Sequence, residues 1–169
     1  MDKFEVIIVG AGLAGLSAAY TLAKEGIEVV VVERGDYPGA KNVTGGRLYV
    51  NPVRQYFPEI WDSAPLERHV TSELVTMMSP DNSTTMRFRS EKFNQEPYHS
   101  YTVLRATFDR WLATQAEEAG AMLVTKNRVD EVIKENGRVL GVVTGGEKLG
   151  ADVVIACDGV LSLVAEKAG

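Results

Sequence analysis

Phe4-Glu5-Val6-Ile7-Ile8-Val9-Gly10-Ala11-Gly12-Leu13-Ala14-Gly15, continued through Leu16 to Gly26 and on to Val29-Val30-Val31-Val32-Glu33, is the stretch that decides the fold. Phe4–Val9 is a short β-branched block without polar alternation, which reads as a strand buried on both faces. From Ala14 to Lys24 the apolar residues Leu16, Ala19, Tyr20 and Ala23 recur at three- and four-residue steps, and Gly26 stands where a left-handed helix cap belongs. Glu28–Glu33 then spells a second buried strand. Strand, tight turn, helix and strand in 33 residues make a right-handed βαβ unit of a parallel sheet.

The hexad Gly10-Ala11-Gly12-Leu13-Ala14-Gly15 matches the dinucleotide fingerprint, and each glycine has a mechanical task. Gly10 makes the tight turn, Gly12 lets backbone approach a pyrophosphate, and Gly15 lets the helix pack on the strand. The helix N-terminus offers free N–H groups and a positive dipole end to phosphates. Glu33 ends the next strand about 20 residues on, where a carboxylate accepts hydrogen bonds from a ribose 2′-hydroxyl and repels a 2′-phosphate. FAD and NAD both satisfy this pattern. In the blander reading the glycines only shape a turn and Glu33 is a solvated strand end. Arg34 either stacks on adenine or points to water.

Outward from this unit, Gly35–Asn51 is a long Gly/Pro/Asn/Lys-rich loop feeding a short strand or helix near Leu48–Tyr56. Glu73–Met78, Thr84–Arg89 and Tyr101–Leu104 are strand-like, with Pro80-Asp81-Asn82-Ser83 as the turn between the first two. Arg105–Ala119 restores a helical period, with Phe108, Trp111, Leu112, Ala116 and Ala119 on one face. Met122–Thr125 is a short strand, and Arg128–Lys134 and Arg138–Thr144 form a hairpin around Asn136-Gly137. Ala151–Cys157 reads as a buried strand running into Asp158-Gly159. The expected organisation is residues 1–69 as a βαβ unit with a long loop, 70–104 as an antiparallel insert, and 105–169 as the return to the first domain. The fold class is therefore α/β: a Rossmann-type FAD/NAD(P)-binding domain with a parallel sheet, a β-meander and the start of an antiparallel second domain.

Composition bounds the partners. The 169 residues carry 18 Lys+Arg against 23 Asp+Glu, a net charge of -5 without a basic cluster, which argues against a nucleic-acid groove. One cysteine, Cys157, excludes an internal disulfide, a zinc cage or a cysteine-ligated cluster, and fits a reducing compartment. At the end of a buried strand it behaves as a small apolar residue, not a nucleophile. His69 and His99 lack metal or triad spacing, and Trp61 and Trp111 read as core anchors. No metal site is expected. No run approaches the roughly 20 apolar residues of a membrane helix, and the N-terminus has no signal-peptide pattern, so the expected address is cytoplasmic.

Further motifs follow in order: Arg34, Asp36-Tyr37-Pro38-Gly39, Lys41-Asn42-Val43-Thr44-Gly45-Gly46, Ala64-Pro65-Leu66-Glu67-Arg68, Leu104-Arg105-Ala106-Thr107-Phe108-Asp109, and Ala151 to Cys157-Asp158-Gly159. Together with Gly10–Glu33 this set resembles the FixC-like flavoproteins, relatives of electron-transfer-flavoprotein:quinone oxidoreductase and of the geranylgeranyl reductases. The resemblance covers essentially the whole chain. It implies a non-covalent FAD with its pyrophosphate over Gly10–Gly15 and its ribose on Glu33. It further implies Arg105 near the pyrophosphate or ribityl chain, the Val129 backbone at the adenine edge, and Cys157, Asp158 and Gly159 closing over the cofactor. Lys41, Asn42, Gly45 and Gly46 belong to a loop approaching the isoalloxazine ring. From the residues alone, the alternative for Arg105 is a helix-start residue paired with Asp109, and for Asp158-Gly159 a turn after a strand.

The resemblance also implies electron transfer from a reduced electron-transfer flavoprotein or organic donor to a quinone or ferredoxin-like acceptor. It implies peripheral membrane contact only in full-length relatives. Such enzymes run well beyond 169 residues, so the expectation is an N-terminal part lacking their Gly-Asp fingerprint. Ser162-Leu163-Val164 stands where relatives often place a Ser-x-x-Arg-like end. Thr44 stands where geranylgeranyl reductases usually carry a cysteine, which points to the FixC side. The cofactor carries the redox chemistry, so no acid, base or nucleophile is named. The alternatives are a non-catalytic module holding only ADP or NAD, and a folded chain that works only with a second segment.

Overall fold

In the computed structural model, which describes residues 2–42 and 45–169, the opening stretch forms β1 (Lys3–Val9), α1 (Leu13–Lys24) and β2 (Val29–Val32). Then come β3 (Gly46–Tyr49), β4 (Ser72–Met78), β5 (Ser83–Arg89) and β6 (Ser100–Val103). After them follow α2 (Arg105–Glu118), β7 (Met122–Val124), β8 (Val129–Glu135), β9 (Arg138–Thr144), β10 (Glu147–Ala156) and α3 (Leu163–Ala168). They divide into two units: Met1–Val43 with Ala106–Gly169, and Thr44–Arg105.

The first unit is built on a six-stranded sheet in the order β7-β2-β1-β10-β9-β8. β1 pairs in parallel with β2 on one side and β10 on the other, and β7 extends the parallel part beyond β2. This is the parallel α/β sheet that the valine and isoleucine runs predict. Every residue of Val29–Val32 is buried, as are Val6–Val9. Ile7, Val9, Val30 and Val32 point one way and join Val142, Ala151 and Val164 in one cluster. Alternation along the strand sends Val6 and Ile8 the other way, and Gly15 of α1 sits over Ile8. Burying such side chains contributes about 2 kcal/mol each, which is why the strands form despite their short length.

α1 presents Leu16, Ala19, Tyr20 and Ala23 to the interior, and Gly26 at φ +78° closes it with its N–H on the Ala23 carbonyl. The β8–β9 hairpin turns at Asn136 and Gly137, both at positive φ, as the Asn-Gly pair requires. β10 is longer than the sequence suggests. Its start, Glu147–Gly150, pairs with β9, and Gly150–Ala156 pairs with β1. The stretch Ala151–Cys157, expected to be buried, is buried only in part: Ala151 joins the core, whereas Val153 is 52% exposed and Cys157 only half-buried. From Ala151 onward β10 has a strand on one side alone among the described residues, so its outer edge and one face meet solvent.

The second unit pairs β3 with β6 and β4 with β5, both antiparallel, around Val50, Ile60, Trp61, Phe93 and Val103. His99 stacks on Phe93, and His69 stacks on Tyr98, as packing histidines do. The first unit's opening segment ends at residue 43, not at the expected 69, because β3 finds its partner in β6 and not in the parallel sheet. Among the described residues no helix is long and apolar enough to cross a membrane.

Candidate functional site

The first unit opens a cleft of about 350 Å³ at the carboxyl ends of β1, β2 and β10. The chain leaves β1 toward β2 on one side and returns as β10 on the other, so the cleft lies at the switch point where α/β sheets hold ligands. Its floor is the turn from Val9 to Gly12, and its walls come from the ends of β2 and β10, the Gly39–Asn42 loop and the turn before β8.

The glycines divide the work as their order suggests. Gly10 has φ +102°, and a Cβ there would stand 2.4 Å from the Cys157 carbonyl oxygen, so only glycine lets β1 and β10 end together. A Cβ on Gly15 would stand 1.9 Å from the Gly10 carbonyl oxygen, which closes the helix onto the turn. A Cβ on Gly12 meets nothing within 4 Å, and Gly12 lines the cleft, so the space above its backbone is open to a ligand. α1 has no acidic residue in its first turn and no side-chain cap at Gly12, so no side chain of its own covers its positive end toward the cleft.

Glu33 ties the site together. Its Oε2 accepts the Ala11 N–H at 2.7 Å and its Oε1 accepts the Gly35 N–H at 2.6 Å. The phosphate-type turn and the end of β2 are thus joined by one carboxylate, whose remaining lone pairs stay available to a ligand. Opposite, Asp158 Oδ2 accepts the Val164 N–H at 2.9 Å and fixes the chain where it enters α3. Burial raises the Cys157 thiol above its ordinary value, and the Asp158 carboxylate adds to the rise. The cleft's cations are Arg34, Lys41 and Arg128, the last paired with Asp130 at 2.7 Å.

Of the residues singled out in the sequence, Gly10, Ala11, Gly12, Glu33, Arg34, Lys41, Asn42, Val129, Cys157, Asp158 and Gly159 all line this cleft. Leu13, Ala14 and Gly15 form the first turn of α1 and do not line it. Gly45, Gly46 and Arg105 belong to the second unit. Thr44 lies outside the described residues. Sequence reasoning missed Asn127 and Arg128. The signal was topological: β7 lies beside β2, so the turn that follows it lands at the same sheet end. There the Lys126 N–H donates to the Gly35 carbonyl at 2.9 Å and the Asn127 N–H to the Glu33 carbonyl at 2.9 Å. An open glycine, helix amides without a side-chain cap and a carboxylate at the strand end fit the adenosine-pyrophosphate half of a dinucleotide.

Comparison with known proteins agrees. The family described as "FAD binding domain" matches residues 3–169. Protein FixC of Salmonella typhi is 50% identical over 168 residues, which cover 99% of this chain and 39% of that protein. A probable electron transfer flavoprotein-quinone oxidoreductase, YdiS of Escherichia coli K12, is 44% identical with the same coverage of each chain. Among solved structures, a geranylgeranyl bacteriochlorophyll reductase-like protein of Thermoplasma acidophilum superposes with a TM-score of 0.80 at 28% identity, covering 100% of this chain and 42% of that one. The chain thus spans about 39% of the length of these curated relatives. With the fingerprint, the cleft and the match over nearly its whole length in agreement, this chain belongs to the FAD binding domain family, and its cofactor is FAD.

Proposed function

We propose that this chain is the FAD-holding part of a FixC-like oxidoreductase that takes electrons from a reduced electron-transfer flavoprotein and passes them to a quinone or ferredoxin-like acceptor. The observation that carries the reading is the open space above Gly12, bounded by the bare N-terminus of α1 and by Glu33. The name of YdiS, a probable electron transfer flavoprotein-quinone oxidoreductase, supports the flavoprotein donor and the quinone acceptor. Bound FAD supplies the electron-carrying ring, and the protein supplies binding and orientation.

In this reading the α1 amides and the Gly12 backbone hold the pyrophosphate, and Glu33 accepts the ribose hydroxyls on its unused lone pairs. Arg34 and the Val129 backbone bracket the adenine, while Lys41, Asn42, Asp158 and Gly159 form the walls that keep the ligand extended. Glu33 also disfavours a 2′-phosphate, because two anions would meet at close range.

A second reading, a module that holds ADP or NAD without turnover, is favoured by one observation. The residues brought together in the first unit's cleft are those of the adenosine half, whereas Gly45, Gly46 and Arg105 belong to the other unit. An absorbance spectrum of the purified chain, desalted after incubation with FAD, separates the two: a retained flavin spectrum supports the oxidoreductase part, and ADP affinity without retained flavin supports the module. Gly12→Val fills the space above the turn. It should weaken adenine-nucleotide binding by at least about a hundredfold, as expected when a side chain blocks a phosphate site, and unchanged affinity would sink both readings.

A further inference from the structure

Two adjacent residues of α2 grip the loop that walls the cleft. Asp109 is fully buried on the inner side of α2 among Phe108, Leu112 and Ala113, and its Oδ2 accepts a hydrogen bond from the Asn42 side-chain amide. One position on, the Arg110 guanidinium lies 3.7 Å from the centre of the Tyr37 ring. The loop between these grips is internally tied, with the Ala40 N–H on the Tyr37 carbonyl and the Asn42 N–H on the Gly39 carbonyl. Gly39, Lys41 and Asn42 are the part of it that faces the cleft.

A carboxylate with no exposure on an apolar helix face is costly unless it is partnered. Apolar packing of α2 asks for a leucine or alanine there, so the acid has to be explained by what it holds. It holds a polar side chain whose own backbone forms the cleft wall. Arg110 and Tyr37 repeat the arrangement at the other end of the same loop, from the solvent side, where a cation over an aromatic face adds a weaker contact.

We propose that Asp109 and Arg110 are positioning residues for the cofactor: together they clamp the 35–42 loop so that Lys41 and Asn42 stand ready at the cleft before FAD arrives. The proposal rests on the assignment of the cleft to FAD. Preorganisation of this kind appears in affinity, because a loop that is already ordered has less freedom to lose on binding. Neither residue needs to touch the ligand.

The test uses the whole 169-residue chain. Hydrogen–deuterium exchange of the 35–42 segment, without ligand, reads the clamp. Equilibrium titration with FAD reads its consequence, and the thermal midpoint of the ligand-free chain reports a merely structural role. Tyr37→Ala should speed exchange in this segment while leaving the thermal midpoint nearly unchanged; Asn42→Ala should speed it and also lower the midpoint, because it takes one partner from a fully buried carboxylate. Asn42→Ala should weaken FAD binding about tenfold, the worth of one partly buried hydrogen bond.

Asn42→Asp sets a second carboxylate against Asp109 and should weaken binding further. Adding Asp109→Asn restores the pair with donor and acceptor exchanged, and should bring the affinity back to within about threefold of the original. Unchanged exchange in Asn42→Ala would overturn the clamp. Faster exchange with unchanged FAD affinity would overturn the positioning role, as would an affinity loss that the exchanged pair does not recover. Where an Asp109 variant does not fold, the two loop variants decide. If the unaltered chain takes up no FAD, the cofactor assignment fails separately, and exchange in the ligand-free protein still decides the clamp.

Discussion

β1 and β10 lie side by side in parallel register, Val6 against Val153 and Ile8 against Ile155, and are spelled almost alike, yet only one of them is buried. Ile7 and Ile8 have no exposure, while Val153 is 52% exposed. Composition does not separate the two strands; their neighbours do. β1 has β2 on one side, β10 on the other and α1 above it, whereas β10 beyond Gly150 has β1 alone among the described residues. The β4–β5 hairpin of the second unit carries the same contrast further. The register puts Val75, Met77, Met86 and Phe88 on one face, and all four are exposed. An apolar run therefore reports the capacity to be buried, and the pairing partners decide whether that capacity is used.

The largest effect should come from breaking the contact that seals β1. In Gly15→Ala the new Cβ would fall 1.9 Å from the Gly10 carbonyl oxygen, a backbone atom that cannot swing aside. The loss should be on the order of 3–5 kcal/mol, at the severe end of single substitutions. Because the two tryptophans fall one in each unit, Trp111 fluorescence in a Trp61→Phe background follows the first unit alone during urea unfolding. A midpoint within error of the parent would mean that α1 does not lean on the turn as described.

The same probe compares the two strands directly. Ile8→Ala should cost about 3 kcal/mol, the transfer and cavity cost of a buried branched side chain. Val153→Ala, on the neighbouring strand, should cost under about 1 kcal/mol. Equal losses at the two positions would show that β10 is as enclosed as β1 in solution, and the comparison would collapse.

The readable and unreadable parts of the sequence separate along this line. Local signals carried the elements. Val29–Val32 became β2, the three- and four-residue spacing became α1, Asn136-Gly137 became the turn of β8–β9, and the glycine order gave the turn its geometry. The dinucleotide turn was legible because the fingerprint is local too, a turn of fixed length between two periodic elements; it left FAD and NAD open, and FAD came with the resemblance carried by the whole ordered set of motifs. What escaped depends on residues far apart in the chain. The exposure of β10 depends on the absence of a neighbour among the described residues, and the boundary at residue 43 depends on β3 pairing with β6, where Gly46 meets Val103 across 57 positions of sequence. The cleft contributions of Asn127 and Arg128 depend on β7 joining the sheet beside β2. Asp109 figured in the sequence only as a possible partner of Arg105 one turn away, because its partner Asn42 lies 67 positions earlier, beyond any helical period.

The smallest effect should come from the residue at which β10 ends. Burial lifts the Cys157 thiol above its ordinary range, with a further contribution from the Asp158 carboxylate next to it, and the group is only half-buried. Its thiolate should therefore form later on the pH scale than that of an unstructured cysteine, whose pKa is about 8.5. Alkylation by iodoacetamide, followed across pH, should show a midpoint above the value for the unfolded chain, and Asp158→Asn should bring it part of the way back. The sign for stability follows from the same inequality. The folded state holds the thiol proton more tightly than the unfolded state, so this contribution is complete below the unfolded pKa and is lost as pH rises toward the folded one. Cys157→Ser should remove that alkaline decline, by no more than about 1 kcal/mol for a group this open to solvent. A midpoint at or below that of the unfolded chain would mean that the end of β10 is more solvated than Val153 already indicates, and would widen the difference between the two strands.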